Sequence, residues 1–304
     1  MIETTRREFL RNAAAGAAAV SWPAAWAQEP RPSWKVGGFT KMLQDLSYER
    51  TAQVAVEIGW DCIECPVRAK GQVLPDRVEE DLPKLVEALK AKNLELSILA
   101  TDIRSADEPL TGKVLRAASK AGVSLYRLGG YRYKEGIPIP RQIEEFRAKL
   151  KDLAALNKEL GLTGLLQNHS GNGYVGAPMW DLHELLKDLD PRQLGVHFDI
   201  GHATVESGLS WPTAFELLKD RIGAVIVKDF YWKHAPGEGA KTVWCPIGQG
   251  SVQPKFFRML RGSPFRGPIT MQFEYPIDGG DGIDARVRAM KEDNRVLREW
   301  LKAP

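Results

Sequence analysis

From Trp34 onward, short runs of β-branched and apolar residues alternate with longer stretches whose apolar positions recur every three or four residues. The runs Trp34–Phe39, Cys62–Cys65, Leu94–Ala100, Leu125–Leu128, Gly164–His169, Leu194–Asp199, Ala224–Lys228 and Ile269–Glu274 have the length and composition of buried strands. Between them, Tyr48–Ile58, Arg77–Lys92, Gly112–Ala121, Arg141–Leu160, Trp180–Leu189, Pro212–Lys219, Gln253–Leu260 and Ile283–Leu301 read as amphipathic helices. In Arg141–Leu160 the positions Ile143, Phe146, Leu150, Leu153, Ala154 and Leu160 fall on one face, with Asn157 its one polar break.

Strict strand–helix alternation, repeated eight times, predicts an α/β fold of one closed (β/α)₈ TIM barrel. A chain of 304 residues is ample, since about 250 is typical of such a barrel. The rival, an open doubly wound sheet, usually carries a glycine-rich phosphate loop after its first strand, and Val36-Gly37-Gly38-Phe39 lacks that spacing. No repeat or linker marks a second domain, so the barrel is expected over residues 28–304. The longest connection, Tyr231–Ser251, carries Trp232, His234, Trp244 and several glycines, and is read as an irregular lid or binding loop after the seventh strand.

Residues 1–27 have a different pattern. Arg6-Arg7 precede Phe9-Leu10, an alanine-rich stretch runs from Ala13 to Val20, and Ala25-Trp26-Ala27 has small-x-small spacing. This segment resembles a twin-arginine export signal, which implies a twin-arginine translocase as partner and a periplasmic or secreted location. Its apolar run is too short for a stable membrane anchor.

Charge changes the picture little. Lys and Arg number 42 against 39 Asp and Glu, a net of +3, which provides no phosphate-tracking surface and speaks against a nucleic-acid partner. Of the three cysteines, Cys62 and Cys65 form a C-x-x-C inside a strand, where residues three apart face opposite ways and read as small buried apolar groups.

In such barrels the active site lies at the C-terminal ends of the strands. Glu64, Gln167-Asn168-His169, His197-Phe198-Asp199, Lys228-Asp229 and Glu274 all fall there. Alternation places Gln167 with His169, and His197 with Asp199, on one strand face. The motifs Asp199-Ile200-Gly201-His202, Lys228-Asp229 and Pro246-Ile247-Gly248-Gln249-Gly250 resemble those of the xylose isomerase-like barrels of the sugar phosphate isomerase/epimerase superfamily.

The resemblance implies a divalent metal (Mn, Mg or Zn) held by a glutamate on strand five, an aspartate on strand six, a histidine on strand seven and a glutamate on strand eight. Asp199 and Glu274 match that pattern, but Gln167 and Ile226 replace the other two. Gln167, Asp199 and Glu274 remain as candidate ligands, with Lys228 as an electrostatic substitute should no metal bind. A glutamine oxygen is too weakly basic to accept a proton, so an epimerase working with two glutamates is not expected. The expectation is a sugar isomerase- or epimerase-like enzyme abstracting a proton next to a carbonyl of a sugar or keto-sugar, with Glu274 or His202 as base and Lys228 stabilising the enediolate. Glu64, Asn168, His169, Arg132 and Trp232 are expected to bind the small-molecule sugar. A lyase or hydratase acting on oxidised glycosides, and a barrel that binds carbohydrate without turning it over, are the alternatives.

Overall fold

A computed structural model of the chain describes residues 33–303 apart from 236 and 238, so the expected export signal lies outside the described residues. Eight parallel strands close into a barrel: β1 (Val36–Phe39), β2 (Cys62–Val67), β3 (Glu95–Thr101), β4 (Leu125–Arg127), β5 (Thr163–Gln167), β6 (Leu194–Asp199), β7 (Ile222–Val227) and β10 (Ile269–Met271). They stand in the order β1-β10-β7-β6-β5-β4-β3-β2. The helices α1 (Tyr48–Ile58), α2 (Val78–Lys90), α3 (Thr111–Lys120), α4 (Ile139–Leu160), α5 (Trp180–Leu186), α6 (Ile200–Ser207), α7 (Trp211–Leu218), α8 (Lys255–Arg261) and α9 (Ile283–Lys302) lie between and after them. Among the described residues no helix is long and apolar enough to cross a membrane.

The period-two alternation of the strands sorts side chains into two environments. On β6, Phe198 points outward into the helix layer, stacking on Phe256 at 5.7 Å and meeting Phe215 edge-on at 5.7 Å. Each such ring pair contributes about 0.5–1.5 kcal/mol beyond area burial. Inward, Ile98, Leu165 and Ala224 form a small apolar plug with Leu125 against it. Two residues further along the same inward faces come Arg127 on β4, Gln167 on β5 and Ile226 on β7, the first two of them polar. In α4 the polar break is satisfied: buried Asn157 accepts from the Tyr126 hydroxyl at 2.9 Å and donates to the Gln193 carbonyl at 2.8 Å. All three cysteines are free and buried, and burial pushes the Cys62 thiol up to about 11.

Two segments differ from expectation. The connection after β7 is an antiparallel hairpin, β8 (Asp229–Ala235) with β9 (Gly239–Cys245), rather than irregular chain. The residues after Asp199 form the first turn of α6, a helix absent from the sequence pattern, with the Asp199 carboxylate as N-cap, accepting from the His202 amide at 2.9 Å.

The hairpin base shows why Lys228-Asp229 and the glycine motif occur together. The Asp229 carboxylate accepts from the backbone amides of Phe230, Gly248, Gly250 and Val252 at 2.8–3.0 Å. A side chain at Gly250 would place its Cβ 2.2 Å from the Phe230 carbonyl oxygen and 2.3 Å from the Asp229 carboxylate. Asp229 and the glycine motif bind the loop to the hairpin rather than face the barrel mouth.

Candidate active site

The barrel mouth encloses a cavity of about 280 Å³ lined by side chains from the ends of β1, β2, β3, β4, β5 and β10. Beneath and beside it runs a continuous polar network. Glu64, fully buried on β2, pairs with Arg127 at 3.1 Å and accepts from the Thr270 hydroxyl at 2.9 Å. Burial pushes the Glu64 carboxyl up, and Arg127 and Thr270 pull against that. Arg127 in turn donates to the Gln167 amide oxygen, and the Gln167 amide nitrogen donates to Asp199 Oδ2 at 2.9 Å.

Asp199 leads to Lys228. The Lys228 Nζ lies 3.3 Å from Asp199 Oδ2, 3.1 Å from Glu274 Oε2, 3.4 Å from Gln272 Oε1 and 2.8 Å from His202 Nε2. It is only 3% exposed, and the ring of Trp244 closes over it at 4.5 Å. A lysine only donates, so His202 Nε2 accepts, and the proton sits on Nδ1, which donates to the Ser170 hydroxyl at 2.7 Å. Burial, and then the neighbouring ammonium, hold His202 neutral.

His169 behaves differently. Its Nδ1–H donates to the Ser170 carbonyl at 2.8 Å, which leaves the Nε2 lone pair free, and its ring stacks on Tyr174 at 4.0 Å. Burial comes first among the causes that lower its pKa, so the imidazole is neutral at neutral pH.

Of the residues singled out from the sequence, Gln167, His169 and Glu274 line the cavity. The others do not line it. His202 has its lone pair taken by Lys228, so the expectation of a base there is corrected, and Lys228 itself is buried behind Glu274 rather than open to an enediolate. Asn168 exchanges two hydrogen bonds with the Asp199 backbone, at 2.7 and 2.9 Å, and joins β5 to β6 instead of binding sugar. Glu64 serves as the counterion of Arg127. Arg132 is exposed and reaches the cavity only through the ring of Tyr174, 3.4 Å from its guanidinium. Trp232 is 42% exposed and packs on Phe230 further out along the hairpin, whereas Trp244 covers the site.

Sequence reasoning missed Lys41, Arg68, Arg127, Asp102 and Gln272 on the cavity wall. Arg127 and Gln272 carried a usable signal, each being a polar residue on the inward period of an otherwise apolar strand run. Gln272 is 4% exposed, and its Nε2 has no hydrogen-bond partner among the described residues. An orphaned buried donor costs about 1–3 kcal/mol, and on the cavity wall Gln272 carries one.

The residues do not fit the metal that the resemblance implies. Ile226, beside Asp199 in the β6–β7 register, offers no donor, and Gln167 turns its nitrogen, not its oxygen, toward Asp199. The Lys228 ammonium stands where the two carboxylates converge. A divalent ion about 4 Å from that ammonium would be repelled by about 8 kcal/mol at an effective dielectric of about 20. Among the described residues no three His, Cys, Asp or Glu side chains are grouped to hold a metal.

Residues 52–300 match the model of the family described as xylose isomerase-like TIM barrel. The chain belongs to this family. Comparison with characterised protein sequences finds no match. Among solved structures, the chain is similar to a 3-keto-D-glucoside 4-epimerase from E. coli, with TM-score 0.67, 14% identity and coverage of 88% of this chain and 99% of that one. It is also similar to a D-tagatose 3-epimerase-like protein, with TM-score 0.67, 18% identity and coverage of 88% and 97%. A probable 3-DHS dehydratase from Bacillus anthracis gives TM-score 0.66, 17% identity and coverage of 87% and 98%. At these identities the likeness shows the fold.

Proposed function

We propose that this xylose isomerase-like barrel is an exported enzyme that abstracts a proton next to the carbonyl of a sugar or keto-sugar. The observation that carries the reading is Glu274. Its side chain is 36% exposed and lines the cavity, with Oε2 held by Lys228 and Oε1 without a partner among the described residues. In the proposed step Oε1 takes the proton, the C–H electron pair forms the carbon–carbon double bond of an enediolate, and the carbonyl oxygen becomes the oxyanion. Gln272 Nε2, two residues before the base, donates to that oxygen, and Arg127 adds positive charge from the adjoining wall. His169 Nε2 accepts from a substrate hydroxyl. Lys228 works through Glu274 and Asp199 as a positioning residue.

Because Gln167 replaces a carboxylate, proton exchange between two carboxylates on β5 and after β10 is not available. This favours outcomes that need a single carboxylate: return of the proton to a neighbouring carbon, or expulsion of a β-hydroxyl or β-glycosyl group. The twin-arginine pattern of residues 5–10 supports export, and Arg6→Lys with Arg7→Lys is expected to retain the protein in the cytoplasm.

Incubation of the protein with a panel of neutral and oxidised sugars and keto-sugars in heavy water tests the chemistry. Deuterium at the carbon next to the carbonyl, or an unsaturated product, is expected with the wild type and is lost in Glu274→Gln. Tight sugar binding with no exchange and no product across the panel would favour the non-catalytic binding barrel instead.

A further inference from the structure

The wall of the cavity away from Glu274 is built from cations. Arg127 ends β4, Arg68 follows β2 and Lys41 follows β1, and all three line the cavity. The guanidiniums of Arg127 and Arg68 both lie near one ring, 5.0 and 5.5 Å from the centroid of Phe39. Arg127 has its counterion in Glu64. Neither the Arg68 nor the Lys41 side chain makes a hydrogen bond or ion pair with the described residues. Burial comes first, and the charge of Arg127 next, among the causes that lower the Arg68 pKa, with Asp102 and Glu64 acting against them.

A partly desolvated guanidinium held beside a second one costs free energy unless a negative group joins it. Its planar fork of donors matches an oxyanion, which it can bind through two parallel hydrogen bonds. Sugar hydroxyls bring no charge, and the one acidic side chain on this wall, Asp102, makes no ion pair with Arg68 within contact distance.

We infer that the substrate is an anionic sugar derivative, whose carboxylate or phosphate docks on Arg68 and Lys41. The inference rests on the carbohydrate reading above and narrows it. With the oxyanion at the β1–β2 side, the rest of a monosaccharide-sized molecule extends across the 280 Å³ cavity toward His169, Gln272 and Glu274. The ring of Phe39 lines the same cavity and gives the carbon skeleton an apolar surface.

Isothermal titration with a neutral sugar, the matching sugar acid, the matching sugar phosphate and non-sugar carboxylates of similar size tests this on the wild type, Arg68→Met, Arg68→Lys and Lys41→Met. At least one anionic sugar is expected to bind about tenfold or more tighter than its neutral counterpart, as a charged hydrogen-bonded pair supplies. That preference should weaken as salt rises and disappear in Arg68→Met, with Arg68→Lys keeping part of it. Whether the acid or the phosphate binds tighter identifies the oxyanion. Equal binding of neutral and anionic sugars, or a preference that survives Arg68→Met in protein with wild-type melting, overturns the inference and leaves the carbohydrate reading standing. Binding of non-sugar carboxylates alone, lost in Arg68→Met, keeps the anion site and removes the carbohydrate reading. Absence of any anion binding overturns the anion site.

Discussion

A side chain on Gly201 would put its Cβ 2.8 Å from both the Cγ and the carbonyl oxygen of Lys228. The glycine of the Asp199-Ile200-Gly201-His202 motif is therefore the space through which the lysine passes to reach Asp199 and Glu274. Gly201→Ala is expected to push Lys228 aside, costing about 1–3 kcal/mol of stability as an overpacked site. Because Glu274 then loses its anchor, deuterium exchange should fall by far more than the loss of folded protein explains. Urea unfolding and exchange rates measured on the same preparation check both.

Lys228→Met tests the buried cation directly. It leaves the Asp199 and Glu274 carboxylates facing one another without the ammonium, and breaking such a buried pair costs about 3–5 kcal/mol. The wild type, in contrast, should keep its melting temperature and exchange activity after exhaustive chelation, and metal analysis should find no stoichiometric divalent ion. A stoichiometric ion whose removal abolishes exchange would refute the assignment of Lys228 as the resident cation.

Asp229 contacts no part of the cavity, yet its carboxylate takes four backbone amides. Asp229→Ala orphans these donors at the hairpin base and is expected to destabilise the protein by about 3 kcal/mol or more. Denaturant unfolding measures the loss, and limited proteolysis should find new cleavage between residues 246 and 252.

Asp293 gives a pH signature separate from the active site. Burial pushes its carboxyl up to about 7, although Tyr275 Oη and the Ile247 amide donate to it at 2.9 and 3.0 Å. The folded protein holds this proton between about pH 4 and 7, where the unfolded chain has released it. The contribution to stability is thus fully present below about pH 4 and is lost as pH rises through about 7, at up to about 1.4 kcal/mol per pH unit. Asp293→Asn keeps an acceptor for Ile247 and cannot ionise. Its stability relative to the wild type should rise as pH goes from 4 to 8, and a flat difference across melting curves in that range would contradict the assignment.

The barrel was legible because its signal repeats: each strand carries the same short apolar run and each helix the same period, so an error of one to three residues at an end, as at β3 or α5, changes nothing in the topology. The hairpin was hidden by its tryptophans and glycines, although Phe230, Trp232 and His234 alternate with period two and Gly237 and Gly239 mark a turn. Strand-end logic named Gln167, His169 and Glu274, which line the cavity, and Asp199 behind them. It could not rank depth, which decides that Lys228, His202 and Asn168 support the wall while Gln272 and Arg127 form it. Nor could it choose Trp244 over Trp232, since both sit on one face of the hairpin and only the approach of β9 to α6 separates them.

Four acceptors surround the Lys228 Nζ, and an ammonium has three protons. One of the four must always go without, and the longest contact, to Gln272 at 3.4 Å, is the readiest to yield. The same amide has an idle nitrogen. A molecule entering the cavity can therefore draw Gln272 toward itself while the lysine keeps its hydrogen bonds to His202 and Glu274 and its ion pair with Asp199.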